Sequence, residues 1–234
     1  MNCSALFDEI NQLIFENLPI LQASRYKVKY KADGSPVTEA DVWLEKLIGL
    51  HLEKRLPGLR LIGEESFDLN WDSNEGYLAI LDPIDGTENF CSGLKEWGVS
   101  LSMWQGRTHL GSMLMMPELG ESLKTGDSLV KLHSRITGFS SSYNDKIVQG
   151  IAQSVEYRVT GCAVYNLYNV IRGAFARFVN PKGAYVWDLL PGLMLALEHN
   201  CEVLLNDEPY DGRLLDPTQK YRVDIQHRYD LHPG

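Results

Sequence analysis

The sequence predicts a layered α/β fold. Three observations predict it. Segments with helical apolar spacing alternate with short strand-like runs, their lengths are mixed with no internal repeat, and 44% of the 234 residues are hydrophobic, enough for a sizeable core. Leu6, Ile10, Leu13, Ile14 and Leu18 recur at helical spacing, giving a first helix that ends near Pro19. Thr38 is a good N-cap for a second helix, which runs through Leu44, Leu47, Ile48 and Leu52 towards Pro57-Gly58. Strands follow at residues 59–62, 77–81, 99–104 and 110–115, and in the third Val99, Leu101 and Met103 alternate with Ser100, Ser102 and Trp104. After Pro117 the pattern weakens. A strand restarts at 136–140, a helix spans 163–174, a strand covers 176–179, and a helix over 189–198 leads into a strand at 202–205. Nothing reads as a flexible linker, and the division into halves, 1–134 and 135–234, is drawn near Ser134.

Charge and cysteine usage exclude several classes. Lys plus Arg total 22 against 31 acids, a net charge of −9, which argues against nucleic acid or an anionic membrane as partner. Cys3, Cys91, Cys162 and Cys201 are scattered, with no Cys-x-x-Cys pair, as expected of reduced thiols in a cytoplasmic protein. Asp8 and Glu9 interrupt the first apolar stretch, and no apolar window is long enough to span a bilayer, so neither signal peptide nor membrane span is expected.

The most informative segment is Asp82-Pro83-Ile84-Asp85-Gly86-Thr87-Glu88-Asn89-Phe90. It follows the apolar run at 77–81, so two carboxylates three residues apart are expected where a strand ends and the chain turns. Two acids crowded against a rigid Pro and a permissive Gly repel one another unless they share a cation. Oxygen-only ligands favour a hard ion such as Mg²⁺, and the N–H groups of Gly86 and Thr87 would then face an anion. Taken alone, Asp-x-x-Asp-Gly is more often a turn whose Asp caps its own backbone.

Three further segments change that balance: Lys31 to Asp41, containing Thr38-Glu39-Ala40-Asp41; Gly63-Glu64-Glu65-Ser66; and Trp187-Asp188-Leu189-Leu190-Pro191-Gly192. Together and in this order, the four segments resemble the inositol monophosphatase family of metal-dependent phosphomonoesterases. The resemblance implies two α+β halves stacked as alternating helix and sheet layers, with the active site between them. It also marks residues 121–136 as an abbreviated edge region, where members normally carry a longer strand-rich insertion.

The resemblance further implies hydrolysis of a phosphate monoester with two or three Mg²⁺ ions, one acidifying the attacking water and another stabilising the departing oxygen. Glu64, Asp82 and the carbonyl of Ile84 would hold the first ion, and Asp82, Asp85 and Asp188 the second. Thr87 would accept a proton from the water, oriented by Asp41; a first-turn helix acid favoured by the macrodipole is the plainer reading of Asp41. Glu65 is expected to orient Glu64 or serve a weaker third ion, Lys31 to lie on a closing loop, and Asp188 on its own reads as a helix cap.

Asp85, Gly86, Thr87, Gly161, Cys162 and Ala163 would bind substrate, although Thr160-Gly161-Cys162-Ala163 alters the order of the family's Gly-Ser-Ala-Ala segment. Residues 177–180 carry no Glu such as inositol-selective members have, and Glu88 replaces a common Thr. The expected substrate is therefore a small polyol, sugar or amino-alcohol phosphate, with histidinol phosphate and 3′-phosphoadenosine 5′-phosphate as alternatives. A non-catalytic binding protein is the rival class. The family suggests a homodimer.

Overall fold

The computed structural model describes residues 3–30, 34, 36–68 and 76–228. Helix α1 spans Cys3–Ser24 and carries Leu6, Phe7, Ile10, Ile14 and Leu21 on its buried face. It does not stop at Pro19. Proline removes a bond to the carbonyl one turn back, that of half-exposed Phe15, while Leu21 anchors the last turn in the core. A hairpin of β1 (Val28–Tyr30) and β2 (Pro36–Thr38) leads into α2 (Glu39–Arg55). Thr38 is its N-cap as expected, and Asp41 closes a capping box by accepting the Thr38 N–H at 2.8 Å.

The first sheet contains β3 (Arg60–Gly63), β4 (Tyr77–Asp85), β5 (Gly98–Gln105), β6 (Thr108–Met116) and β7 (Glu121–Lys124), in that spatial order. β3 and β4 are parallel and the other pairs antiparallel. The expectation that the chain turns at Asp82 needs correction. β4 continues through Asp82-Pro83-Ile84-Asp85 across a bulge, where a proline without an N–H costs no ladder bond, and the turn comes at Gly86. A short helix, α3 (Thr87–Cys91), follows. In the abbreviated edge region, residues 121–124 form β7 and residues 125–135 form no strand.

The second sheet has the order β12-β11-β13-β10-β8-β9, here β8 (Ile136–Phe139), β9 (Glu156–Val159), β10 (Arg177–Ala184), β11 (Glu202–Leu205), β12 (Glu208–Pro209) and β13 (Tyr221–Gln226). Helices α4 (Asp145–Gln153), α5 (Ala163–Ile171) and α6 (Val186–Glu198) complete the chain. Two apolar clusters define the layering. One joins α1 and α2 to one face of the first sheet through Phe7, Ile48, Leu81 and Val99. The other joins the opposite face to α5, α6 and the second sheet through Ile80, Leu167, Leu193 and Phe178. With α4 over Phe139, the order is helices, sheet, helices, sheet, helix.

Pro191 lies inside α6, in its second turn. Its missing N–H would have bonded the carbonyl of Trp187, and the buried Ser100 hydroxyl of β5 donates to that carbonyl instead. The helix thus crosses the proline without an orphaned acceptor at Trp187. Among the described residues, no helix is long and apolar enough to cross a membrane.

Candidate active site

The parallel pairing of β3 and β4 builds the acidic centre. Gly63 faces Leu81 in register, so the next residues, Glu64 and Asp82, emerge side by side at the same sheet end, tied by Glu64 N–H donating to Leu81 O at 3.2 Å. Asp188, in the first turn of α6, brings a third carboxylate, and one oxygen of each of Glu64, Asp82 and Asp188 lies within 4.8 Å of the others. Asp188 Oδ2 also accepts the Tyr185 N–H at 2.7 Å, so it caps from inside the helix while its carboxylate faces the cluster.

Asp85 stands across the bulge from Asp82. Its Oδ2 accepts from the Cys162 thiol at 2.9 Å and from the Val164 N–H at the start of α5. Helices α2, α5 and α6 thus all begin at this centre, each presenting its positive end to a carboxylate.

Burial and mutual repulsion dominate the electrostatics of these acids. Asp82 is fully buried, and burial, reinforced by Glu64, Asp85 and Asp188, pushes its carboxyl well above the ordinary range. Its Oδ1 accepts from Ile84 N–H at 3.0 Å, while its buried Oδ2 has no hydrogen-bond donor. Burial also raises Asp85 to about 6, against the lowering effect of the Cys162 and Val164 donors. Asp188 is pushed to about 8 by burial and by the charges of Asp85 and Glu64. A buried oxygen with no donor among three other acids is a donor set that fits a hard divalent cation.

Thr87 and Asp41 come together as expected. Thr87 Oγ1 stands 3.3 Å from Asp41 Oδ1 and 3.0 Å from the Ile84 carbonyl, which itself lies beside the acids. Asp41 is 1% exposed, and burial raises it to about 6 against the pull of two Thr38 hydrogen bonds. Its Oδ2 caps α2 and its Oδ1 faces Thr87.

A cavity of about 150 Å³ opens beside this centre, lined by Asp85, Asp188, Gly161, Cys162 and Ala163 together with Ser140, Asn166 and Asn180. Cys162 is buried, and its thiol is spent on Asp85, so its polar atom serves that carboxylate. Gly86 has φ 81°, and a Cβ there would come within 2.9 Å of the Cys162 Cβ, which explains why this turn needs glycine. Lys31 lies outside the described residues.

Several participants carry no local sequence signal. Asn89 Nδ2 donates to the carbonyls of Glu96 (2.7 Å) and Thr160 (2.6 Å), joining α3 to the segment before α5. Glu45, one turn beyond Asp41 on α2, is buried and accepts the Glu65 N–H at 2.9 Å. A Cβ on Gly63 would lie 2.3 Å from a Glu45 oxygen, so the glycine admits that carboxylate beneath the Glu64-Glu65 pair. Glu45 was legible only as a residue one helical turn from Asp41. Ser140 and Asn166 each hold a buried oxygen without a partner in the cavity wall, and neither belongs to a recognisable motif.

Fold and site together define a layered α/β protein with a carboxylate centre suited to a divalent cation. The model of the "Inositol monophosphatase family" matches residues 2–230. The chain belongs to the inositol monophosphatase family. A histidinol-phosphatase of Chlorobaculum parvum is 41% identical over 92 residues, 39% of this chain and 34% of that protein, so the match spans about a third of its length. An inositol-1-monophosphatase of Mycobacterium bovis is 28% identical over 200 residues, 73% of this chain and 69% of the other. A crystal structure of an IMPase/NADP phosphatase complexed with Mg²⁺ and phosphate superposes with a TM-score of 0.81 at 20% identity, over 97% of this chain and 90% of that one, and carries the same fold.

Proposed function

We propose that this chain is a Mg²⁺-dependent phosphomonoesterase that removes phosphate from a small polyol, sugar or amino-alcohol phosphate. One observation carries the reading: the buried, donor-less Asp82 Oδ2 sits among Glu64, Asp85 and Asp188, the last two of which line a polar cavity. Glu64, Asp82, the Ile84 carbonyl, Asp85 and Asp188 would hold the metal. Bound there, Mg²⁺ supplies Lewis acidity, lowering the pKa of the attacking water and offsetting charge on the leaving oxygen.

The chain's own groups supply proton handling and orientation. With the Ile84 carbonyl engaged by a cation, the Thr87 hydroxyl is left to Asp41, 3.3 Å away. Thr87 Oγ1 then accepts the proton of the attacking water as its own proton passes to Asp41 Oδ1. Asn89 holds the Thr160 carbonyl and so fixes Gly161, Cys162 and Ala163 against Asp85. The phosphate would meet the N–H groups of Gly86 and Thr87, and the leaving group would occupy the space walled by Ser140 and Asn180. The name of the Chlorobaculum relative makes histidinol phosphate the second reading. A cytoplasmic homodimer remains part of the proposal, the dimer being checked by light scattering.

The test is phosphate release from a panel of small phosphate monoesters, including histidinol phosphate, with and without Mg²⁺. Release from at least one member that stops on chelation is expected. A folded protein inert towards the whole panel would favour the non-catalytic rival.

A further inference from the structure

We infer that a cleft on the outer face of the second sheet, away from the acidic centre, is a second binding site for a small organic dianion with an apolar body. The cleft has a volume of about 560 Å³ and lies between α4 and strands β8, β10 and β13. Arg135, Lys146, Arg177 and Arg222 line it, against Asp207 and Asp224, leaving two positive charges in excess on a protein of net charge −9.

The four cations are not equivalent. Arg177 binds Asp224 through Nε and Nη2, and Arg222 Nη2 donates to Asp207 at 2.6 Å. Neither the Arg135 nor the Lys146 side chain makes a hydrogen bond or close ion pair among the described residues, although Asp207, held below the usual carboxylate range chiefly by Arg222, also feels the charge of Lys146. Arg222 adds a third unsatisfied feature, a buried Nε with no acceptor. Beneath these groups the floor is apolar, formed by Phe139, Val179 and Val223. Like charges gathered over a low-dielectric floor focus their field into the concavity, where an anion of matching size is drawn. An apolar body on that anion would cover the floor. The pairs Arg177–Asp224 and Arg222–Asp207 fix the walls, so the exposed Arg135 and Lys146 carry the excess of positive charge.

Strand alternation separates the two sites by one sheet. Phe178 and Asn180 of β10 face the cavity beside Asp85, while Arg177 and Val179 face the cleft. The dianion site therefore stands independently of the proposed catalysis.

Calorimetric titration of metal-free protein with phenyl phosphate tests this, because the unneutralised acids of the other cavity repel a dianion. Saturable binding that weakens with added salt is expected. The double variant Arg135→Ala/Lys146→Ala, which changes two exposed side chains, should bind at least about tenfold more weakly, and Arg135→Glu should act in the same direction. Asp188→Asn should bind as the parent does. Absence of saturable binding to the parent, undiminished binding by the double variant, or loss of binding in Asp188→Asn would each overturn the assignment.

Discussion

Asp82 is the residue on which the proposed chemistry turns, because a buried carboxylate among three other acids can stay charged only with a cation nearby. Its charge is fully buried, three acids raise its pKa, and one oxygen lacks any donor. Asp82→Asn removes the repulsion without changing volume, so the metal-free variant should unfold at equal or higher urea concentration than the parent. Its phosphate release should nevertheless fall by at least about a hundredfold, since even partners of metal ligands are worth that much. Thr87→Val tests a different step. Loss of the hydroxyl that faces Asp41 should lower kcat by about 10²–10⁴ with little change in KM, while Thr87→Ser keeps most of the rate. These acids were legible because each follows an apolar strand or opens an apolar helix within a short motif. Glu45, Ser140 and Asn166 were not, since each is a single polar residue that only tertiary folding brings to the site, and Asn89, though inside the motif, showed its role only through its tertiary partners.

At the scale of elements, local signals served where burial is one-sided and failed where exposure or tertiary support decides. The N-cap at Thr38 and the apolar run into β4 could be read directly. Strand β9 alternates Tyr157 and Val159 with Glu156 and Arg158 but is exposed at all four positions, and α4 gathers Ile147, Val148 and Ile151 on one face but buries only Ile147, so in both a short apolar period is not matched by burial. The alternation of Tyr221, Val223 and Ile225 in β13 is, by contrast, a readable strand pattern. Proline misled at Pro19, because packing outweighs the local cost of a helix proline, as it also does at Pro191. The Ser100 hydroxyl that covers the Trp187 carbonyl gives this a measurable form. Ser100→Ala should cost about 1–3 kcal/mol in urea unfolding, the penalty for a buried acceptor left unpaired. Adding Pro191→Ala returns a backbone donor to that carbonyl, so the double variant should be more stable than Ser100→Ala alone. Simple additivity of the two changes would contradict the compensation.

Across the whole molecule, the converging acids make stability depend on pH and on metal together. Asp41 and Asp85 lie at about 6 and Asp188 at about 8, all above the ordinary carboxylate value, so the metal-free fold favours their protonated forms. Their stabilising contribution is full below the unfolded-state pKa and is lost as pH rises through about 6 and then about 8. The metal-free protein should therefore melt at progressively lower temperature as pH rises across this window. Added Mg²⁺ should flatten that fall, because binding releases the same protons. The family-level layering was readable from four motifs in order, whereas the cleft under α4 on the outer face of the second sheet was not, since its charged lining comes from strands, loops and a helix distant in sequence. The most direct test of the central claim is a Mg²⁺ titration of phosphate release, run in parallel on the parent and on Asp82→Asn with folding verified by circular dichroism. Saturable, Mg²⁺-dependent release by the parent and none above background by the folded variant is the result predicted here; equal release by both, or release by the parent that chelation leaves untouched, would contradict it.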